Sequence, residues 1–179
     1  MIIFDLDGCL ADCEHRRHFV RPHEKKWIDE EQYYGPEFKG QSGYALLNKD
    51  GSLFKPNWTA FYEACGEDLP IVPVIAAFLA FYSNDIEIEI WSGRCESVRR
   101  KTVRWLETHV PIYNDEYKLK MRPIGDNTPD DQLKERWLDE AIAQGKKIDF
   151  VFDDRPKVVR MWRSHGIFVF NCCQHDEEF

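Results

Sequence analysis

Met1-Ile2-Ile3-Phe4-Asp5-Leu6-Asp7-Gly8-Cys9-Leu10 opens the chain, and its reading decides the fold. Four apolar residues are too few for a helix but enough for a short buried strand, and they run straight into Asp-x-Asp-Gly, where the backbone must turn. If that strand is central in a parallel sheet, Asp5 and Asp7 sit just past its carboxyl end, the edge at which open α/β sheets bind ligands. Two close carboxylates, each titrating near ~4 when unperturbed, raise one another's pKa unless a cation intervenes. A hard divalent ion with oxygen ligands, foremost Mg²⁺, meets that need. One carboxylate is then available to attack phosphorus as a nucleophile while the other moves protons. Most isolated Asp-x-Asp-Gly stretches are solvated turns, so the weight falls on what the rest of the chain adds.

At 179 residues the chain suits one domain with a real core and room for an insertion. Its formal net charge of -8 provides no general field for polyanions, so any contact with a phosphate has to come from a local patch. The start lacks the basic flank and apolar core of a signal peptide. The longest apolar run, Ile71 to Tyr82, has 12 residues and is too short to span a bilayer. Six cysteines, Cys9, Cys13, Cys65, Cys95, Cys172 and Cys173, form no C-x-x-C pair and read as reduced thiols of a cytoplasmic protein. Cys13, His15, His18 and His23 are near enough in sequence to hold zinc, an alternative whose spacing fits no familiar zinc module.

After Leu10 the alternation of strand and helix is suspended. Residues 14 to 27 carry Arg16, Arg17, Arg21, Lys25 and Lys26 against Glu14 and Glu24, reversing the sign of the whole chain. Tyr33, Tyr34, Phe38, Tyr44, Phe54, Trp58, Phe61 and Tyr62 follow, and Asp50-Gly51 between Tyr44 to Leu47 and Leu53-Phe54 marks a hairpin. Residues 13–70 thus read as a cap or flap, and residues 1–12 with 71–179 as the α/β core. Arginines of such a cap, Arg16 and Arg17 among them, can hold a phosphate bidentately, and exposed aromatics can stack on a base. The competing reading makes those aromatics a small satellite core with the basic residues solvating its surface.

Regular alternation resumes at Pro73. Val74 to Tyr82 reads as an apolar helix and Ile86 to Trp91 as a strand ending in Ser92-Gly93-Arg94, with Glu87 and Glu89 hinting at a thinly covered face. Glu96 to Thr108 is an amphipathic helix packing through Val98, Thr102, Trp105 and Leu106, and Leu119 to Arg122 a short strand. The next helix has Thr128 as N-cap, Pro129 in first position and Gly145 as its stop. On it Asp130 and Lys134 lie four apart, the spacing of a surface ion pair. Ile148 to Phe152 forms a buried strand ending in Asp153-Asp154, followed by a helix through His165 and a last strand, Ile167 to Phe170. No internal repeat or low-complexity segment interrupts this order.

Three apolar strands therefore end in polar groups: Asp5 and Asp7, Ser92 and Arg94, Asp153 and Asp154. In a parallel sheet all three ends share one edge, and Lys134 supplies a cation to offset four carboxylates. That is the composition of a metal-dependent phosphoryl-transfer site.

The ordered set Asp5-Leu6-Asp7-Gly8, Ser92, Lys134 and Asp153-Asp154 resembles the four motifs of the haloacid dehalogenase (HAD) superfamily of phosphatases. Trp91-Ser92-Gly93-Arg94, Thr128 through Glu135, and Phe152-Asp153-Asp154-Arg155 continuing to Arg163 are closer still to the phosphatase domain of phage polynucleotide kinase/3′-phosphatase. The resemblance implies a Rossmann-like fold with a small cap and a bound Mg²⁺. It implies Asp5 as the nucleophile that becomes an aspartyl-phosphate, and Asp7 as proton donor and acceptor with its main-chain carbonyl on the metal. Ser92 would bond a phosphoryl oxygen, Lys134 would steady Asp5, and Asp153 and Asp154 would complete the metal site. It further implies Arg94 as a phosphate clamp and Asp130 as orienter of a lysine or arginine. Residues 13–70 are longer than that family's counterpart, and no G-x-x-x-x-G-K-[ST] occurs, so kinase activity is not expected.

The reaction expected is phosphomonoester hydrolysis, with a 3′-phosphorylated polynucleotide end as substrate and a free nucleoside monophosphate as the alternative. Rivals of other classes are a non-catalytic nucleic-acid end-binding module and a phosphotransferase. No membrane partner is expected, and the residues name no protein partner.

Overall fold

The computed structural model describes residues 1–28, 43–110 and 118–173. In chain order the strands are β1 (Ile2–Phe4), β2 (Ala11–Asp12), β3 (Glu24–Ile28), β4 (Gly43–Leu47), β5 (Leu69–Pro70), β6 (Ile88–Cys95), β7 (Lys118–Arg122), β8 (Phe150–Asp153) and β9 (Phe168–Asn171). The α-helices are α1 (Trp58–Glu63), α2 (Val72–Tyr82), α3 (Arg99–His109), α4 (Asp130–Ala143) and α5 (Pro156–Ser164). Two compact units result, Met1–Glu14 with Cys65–Phe179, and His15–Ala64.

In the first unit β1 is the middle of a five-stranded sheet of order β7-β6-β1-β8-β9, in which every adjacent pair is parallel. The place follows from composition, since an unbroken Ile-Ile-Phe run can be hidden only by a strand covered on both faces. Ile2 and Phe4 pack with Ile75 and Phe78 of α2 and with Trp105 and Leu106 of α3. Ile3 packs in a second cluster with Leu133, Trp137 and Leu138 of α4 and with Val158, Val159 and Trp162 of α5. Helices thus cover both faces, the α/β architecture with a parallel central sheet that the sequence implied.

Several local expectations are corrected. Thr128 does not cap α4: the helix begins at Asp130 with Pro129 in the capping place and no side-chain bond there. Thr128 instead accepts from Arg122 Nη1 through its carbonyl at 2.5 Å, while its N–H donates to Asp126 Oδ1 at 2.8 Å. Glu89 does not mark a thin face. It is buried, accepting from Lys146 Nζ at 2.5 Å and Trp91 Nε1 at 2.8 Å, which offsets its desolvation and leaves its pKa lowered. The β2–β5 ladder, pairing Ala11 with Pro70 and Asp12 with Leu69, had no signal in a two-residue pattern.

The second unit is built on the antiparallel pair β3–β4, with Ala45, Leu47 and Leu53 as its small core. The hairpin at Asp50-Gly51 is present: Leu47 bridges Leu53, Phe54 N donates to the Leu46 carbonyl at 2.7 Å, and Gly51 takes φ +82. Asn57 caps α1 by accepting from Ala60 N at 3.0 Å. Tyr33, Tyr34 and Phe38 of the expected aromatic set lie outside the described residues. No disulfide joins the six cysteines, and among the described residues no helix is long and apolar enough to cross a membrane.

Candidate active site

Parallel register sets Phe4 between Ile90 of β6 and Phe152 of β8, so the residues following each strand emerge together at the carboxyl edge. Asp5 N donates to the Phe152 carbonyl at 2.9 Å, carrying the β1–β8 pairing one residue past the strand. Lys134, on the first turns of α4, is buried rather than exposed and does not pair with Asp130. Its Nζ lies 3.0 Å from Asp5 Oδ1 and 2.8 Å from Asp153 Oδ2. Asp153 is held further by Trp162 Nε1 on Oδ2 at 3.3 Å and Arg155 N on Oδ1 at 3.2 Å. Asp5, Asp153 and Asp154, all buried, each place a carboxylate oxygen within 4.8 Å of the others.

Gly8 explains why the opening motif ends as it does. Its φ is +82, and a Cβ there would lie 2.0 Å from Asp154 Oδ2, so only glycine lets the loop after β1 pass the carboxylate that closes the cluster. Burial pushes the Asp5 carboxyl up to about 6, opposed by Lys134 and reinforced by Asp153 and Asp7. Burial works against the Lys134 charge, yet Asp153 and Asp5 outweigh it and hold the ammonium above its ordinary value.

Asp7 faces another way. Its Oδ1 accepts from Arg94 Nε at 2.8 Å and Arg94 Nη2 at 2.6 Å, and the same Nη2 donates to Asp68 Oδ2 at 2.5 Å. Arg94 is wholly buried, and although burial opposes its charge, Asp7 and Asp68 raise its pKa. Ser92, also buried, accepts from Arg94 N at 3.2 Å. Asp130 pairs with Arg122 and Arg155 rather than with the lysine. A Cβ on Gly93 would sit 2.8 Å from Asp130 Oδ1. The edge thus gathers Asp5, Lys134, Asp153 and Asp154 in one group, and Asp7, Arg94 and Ser92 in another with Asp68.

Arg16 and Arg17 belong to the second unit, where both are buried. Arg16 Nη1 donates to the Phe61 carbonyl at 3.1 Å, and its guanidinium lies 4.1 Å from the Phe61 ring centroid. Cys13, His15, His18 and His23 form no second metal-capable group among the described residues. Asp68 and the role of Arg122 escaped the sequence, and Thr102, expected only to pack, also accepts from Arg94 Nη1 at 3.5 Å. Asp68 sits in an irregular stretch without a motif, and Arg122 ends a strand too short to show which neighbours it meets.

Residues 45–177 match the family model of the polynucleotide kinase PNKP phosphatase domain, of the HAD type. The chain belongs to this family. The match to the PNKP phosphatase domain takes in Ser92, Arg94, Lys134, Asp153 and Asp154, while Asp5 and Asp7 precede it and reach the same edge through β1. The chain is also 33% identical over 154 residues to a putative bifunctional polynucleotide kinase/RNA ligase of Autographa californica nuclear polyhedrosis virus, covering 83% of this chain and 22% of that one. It therefore spans about a fifth of that relative's length.

Solved structures of similar fold include the Pnkp1/Rnl/Hen1 RNA repair complex (TM-score 0.64, 21% identity, 98% of this chain and 43% of that one). A second Pnkp1/Rnl/Hen1 complex gives TM-score 0.66 at 23% identity over 98% and 46% of the two chains. CbbY from Rhodobacter sphaeroides in complex with phosphate gives 0.53 at 14% identity over 98% and 88%. By family, then, this PNKP-type chain is a HAD phosphatase domain. Its acidic triad is a donor set of oxygens only, which fits a hard divalent ion such as Mg²⁺ and not a thiophilic one.

Proposed function

We propose that this chain is a Mg²⁺-dependent phosphomonoesterase that removes the 3′-phosphate from polynucleotide ends through an aspartyl-phosphate on Asp5. The observation that carries the reading is the buried group of Asp5, Lys134, Asp153 and Asp154 at the carboxyl edge of β1 and β8. Asp5, Asp153 and Asp154 would hold the ion, with the Asp7 main-chain carbonyl as a further oxygen. Once bound, it would offset the negative charge of the phosphate dianion and of the carboxylates around it.

A carboxylate oxygen of Asp5 attacks phosphorus, the P–O bond to the sugar breaks, and Asp7 gives a proton to the departing 3′-oxygen. Asp7 then takes a proton from the water that attacks the aspartyl-phosphate, returning the Asp5 carboxylate and releasing inorganic phosphate. Lys134 keeps Asp5 aimed and compensates its charge during attack. Ser92 is assigned to a phosphoryl oxygen, and Arg94, expected as a phosphate clamp, is read as the partner that fixes Asp7. Asp130 is read as orienting Arg122 and Arg155. Arg16 and Arg17 are assigned to substrate only through the cap reading of residues 13–70. The relative named for polynucleotide kinase and RNA ligase supports a strand end over a free nucleotide, because removing a 3′-phosphate leaves the 3′-hydroxyl that end joining requires.

The test compares phosphate release from a 3′-phosphorylated oligonucleotide, a 5′-phosphorylated one and the four deoxynucleoside monophosphates, with and without EDTA. Chelator-sensitive release from the 3′-end at the highest kcat/KM is expected. Preference for the mononucleotides would replace the substrate, and release indifferent to EDTA would remove the metal.

A further inference from the structure

We infer that Asp68 is a positioning residue for the proton-transfer step, acting on Asp7 through the buried guanidinium of Arg94. The inference rests on the reading of Asp7 as proton donor. Arg94 Nη2 serves two carboxylates at once, Asp68 Oδ2 at 2.5 Å and Asp7 Oδ1 at 2.6 Å, while Nε adds a second bond to Asp7 Oδ1 at 2.8 Å. The Asp68 and Arg94 side chains are both at 0% exposure, whereas Asp7 is at 21%. Asp68 is therefore the buried anchor of the trio and Asp7 its solvent-reaching end.

Asp68 is itself fixed from both sides. Its carbonyl accepts from Trp105 Nε1 at 2.7 Å, and the next residue enters the β2–β5 ladder, where Leu69 pairs with Asp12. The bond from Arg94 N to Ser92 Oγ pins the other end of the arginine. A planar guanidinium bonded on two edges has its orientation set, and with it the orientation of the carboxylate it grips. Without Asp68 the guanidinium keeps its charge and its bonds to Asp7, but its tilt is left to the longer bond from Nη1 to Thr102 Oγ1 at 3.5 Å in place of the 2.5 Å bond to Asp68. The Asp7 oxygen then no longer meets the leaving oxygen in the geometry that proton transfer needs.

The consequence depends on the leaving group. A sugar hydroxyl leaves poorly without a proton, while the phenolate of p-nitrophenyl phosphate leaves without one. Asp7 also serves the hydrolysis of the aspartyl-phosphate, which all substrates share. The split is therefore read in kcat/KM, which reports the step in which the leaving group departs. Asp68→Asn should lower kcat/KM on a 3′-phosphorylated oligonucleotide by about 10- to 100-fold and on p-nitrophenyl phosphate by less than about threefold. Asp7→Asn is the reference and should show the same split more strongly, about 10²- to 10⁴-fold on the oligonucleotide. Asp68→Glu, which keeps the charge but moves it by one methylene, should recover part of the loss, and it also serves if the Asn variant fails to fold.

If Asp7→Asn shows no dependence on leaving group, the proton-donor reading itself falls. If Asp7→Asn shows it and the folded Asp68 variants lose both activities equally, the positioning role is overturned and Asp68 is only a structural partner of Arg94.

Discussion

Two charge groups stand at one sheet edge, one wholly buried and one that reaches solvent at Asp7, and they are built in opposite ways. Around Asp5 there are three carboxylates that approach within 4.8 Å of one another and one ammonium, and the Asp5 carboxyl is pushed up to about 6. Around Asp7 there are two carboxylates sharing one guanidinium, whose own pKa is raised. The first group holds its anions at a cost and is stabilised by whatever cation reaches it. The second satisfies its arginine from within the chain. A site that does chemistry on a phosphate needs both, a strained place where charge changes and a settled one where geometry does not.

Removing the nucleophile tests the first group most severely. Asp5→Asn should lower kcat by on the order of 10⁴-fold or more, because a carboxamide does not form the acyl phosphate assigned to Asp5. The same change removes a carboxylate that burial disfavours, so the melting temperature of the metal-free protein should not fall. A variant that retains near-wild-type release would move the nucleophile elsewhere; one that loses activity by unfolding would make Asp5 structural.

Lys134 comes next. Lys134→Met leaves Asp5 and Asp153 buried without their ammonium, and breaking a buried pair in this way costs about 3–5 kcal/mol. Thermal or urea unfolding measures it, and a cost below about 1 kcal/mol would contradict the buried geometry of Lys134. Gly8→Ala should cost about 1–3 kcal/mol, since it combines a positive φ with a Cβ against Asp154. It should weaken Mg²⁺ binding measured by calorimetry, whereas Gly51→Ala, at the same φ with open space around it, should leave the metal untouched.

The contrast also explains what the sequence could reveal. The strand of Ile2, Ile3 and Phe4 and the acids after it were legible because local pattern and burial agree: the run is short, wholly apolar and followed at once by a turn. The ends of β6 and β8 repeat that logic, so Asp153 could be placed beside Asp5 from topology alone. Helical spacing alone offered Lys134 the wrong partner, Asp130, and it was the likeness of Lys134 to the third family motif that tied it to Asp5, from which its Nζ lies 3.0 Å. Which way a helix is rolled depends on its packing against a sheet, and Leu133, Trp137 and Leu138 turn α4 so that the ammonium faces the edge. Asp68 was illegible because its meaning comes from Arg94, 26 residues away and on another element. Thr128 fits the composition of an N-cap, but Arg122 and Asp126 claim its backbone.

The smallest effect separates the two groups by their response to pH. Between the ordinary value of 3.8 and about 6, the folded chain holds a proton on Asp5 that the unfolded chain has released. Stability of the metal-free protein from this group is therefore full at low pH and falls as pH rises through that window. An ion bound by the carboxylate competes with the proton. At pH 5 roughly a tenth of Asp5 is ionised, so the apparent affinity for Mg²⁺ drops about tenfold relative to pH 7.5, which is about 1.4 kcal/mol of lost linkage and about 3–5 °C in the Mg²⁺-induced shift of Tm. Melts at the two pH values with saturating Mg²⁺ and with EDTA measure the difference. Asp5→Asn should make the Mg²⁺ response smaller and nearly independent of pH, while Asp68→Asn, belonging to the other group, should leave it as in the wild type. Equal shifts at both pH values in the wild type would place the ion away from Asp5 and dissolve the distinction between the strained group and the settled one.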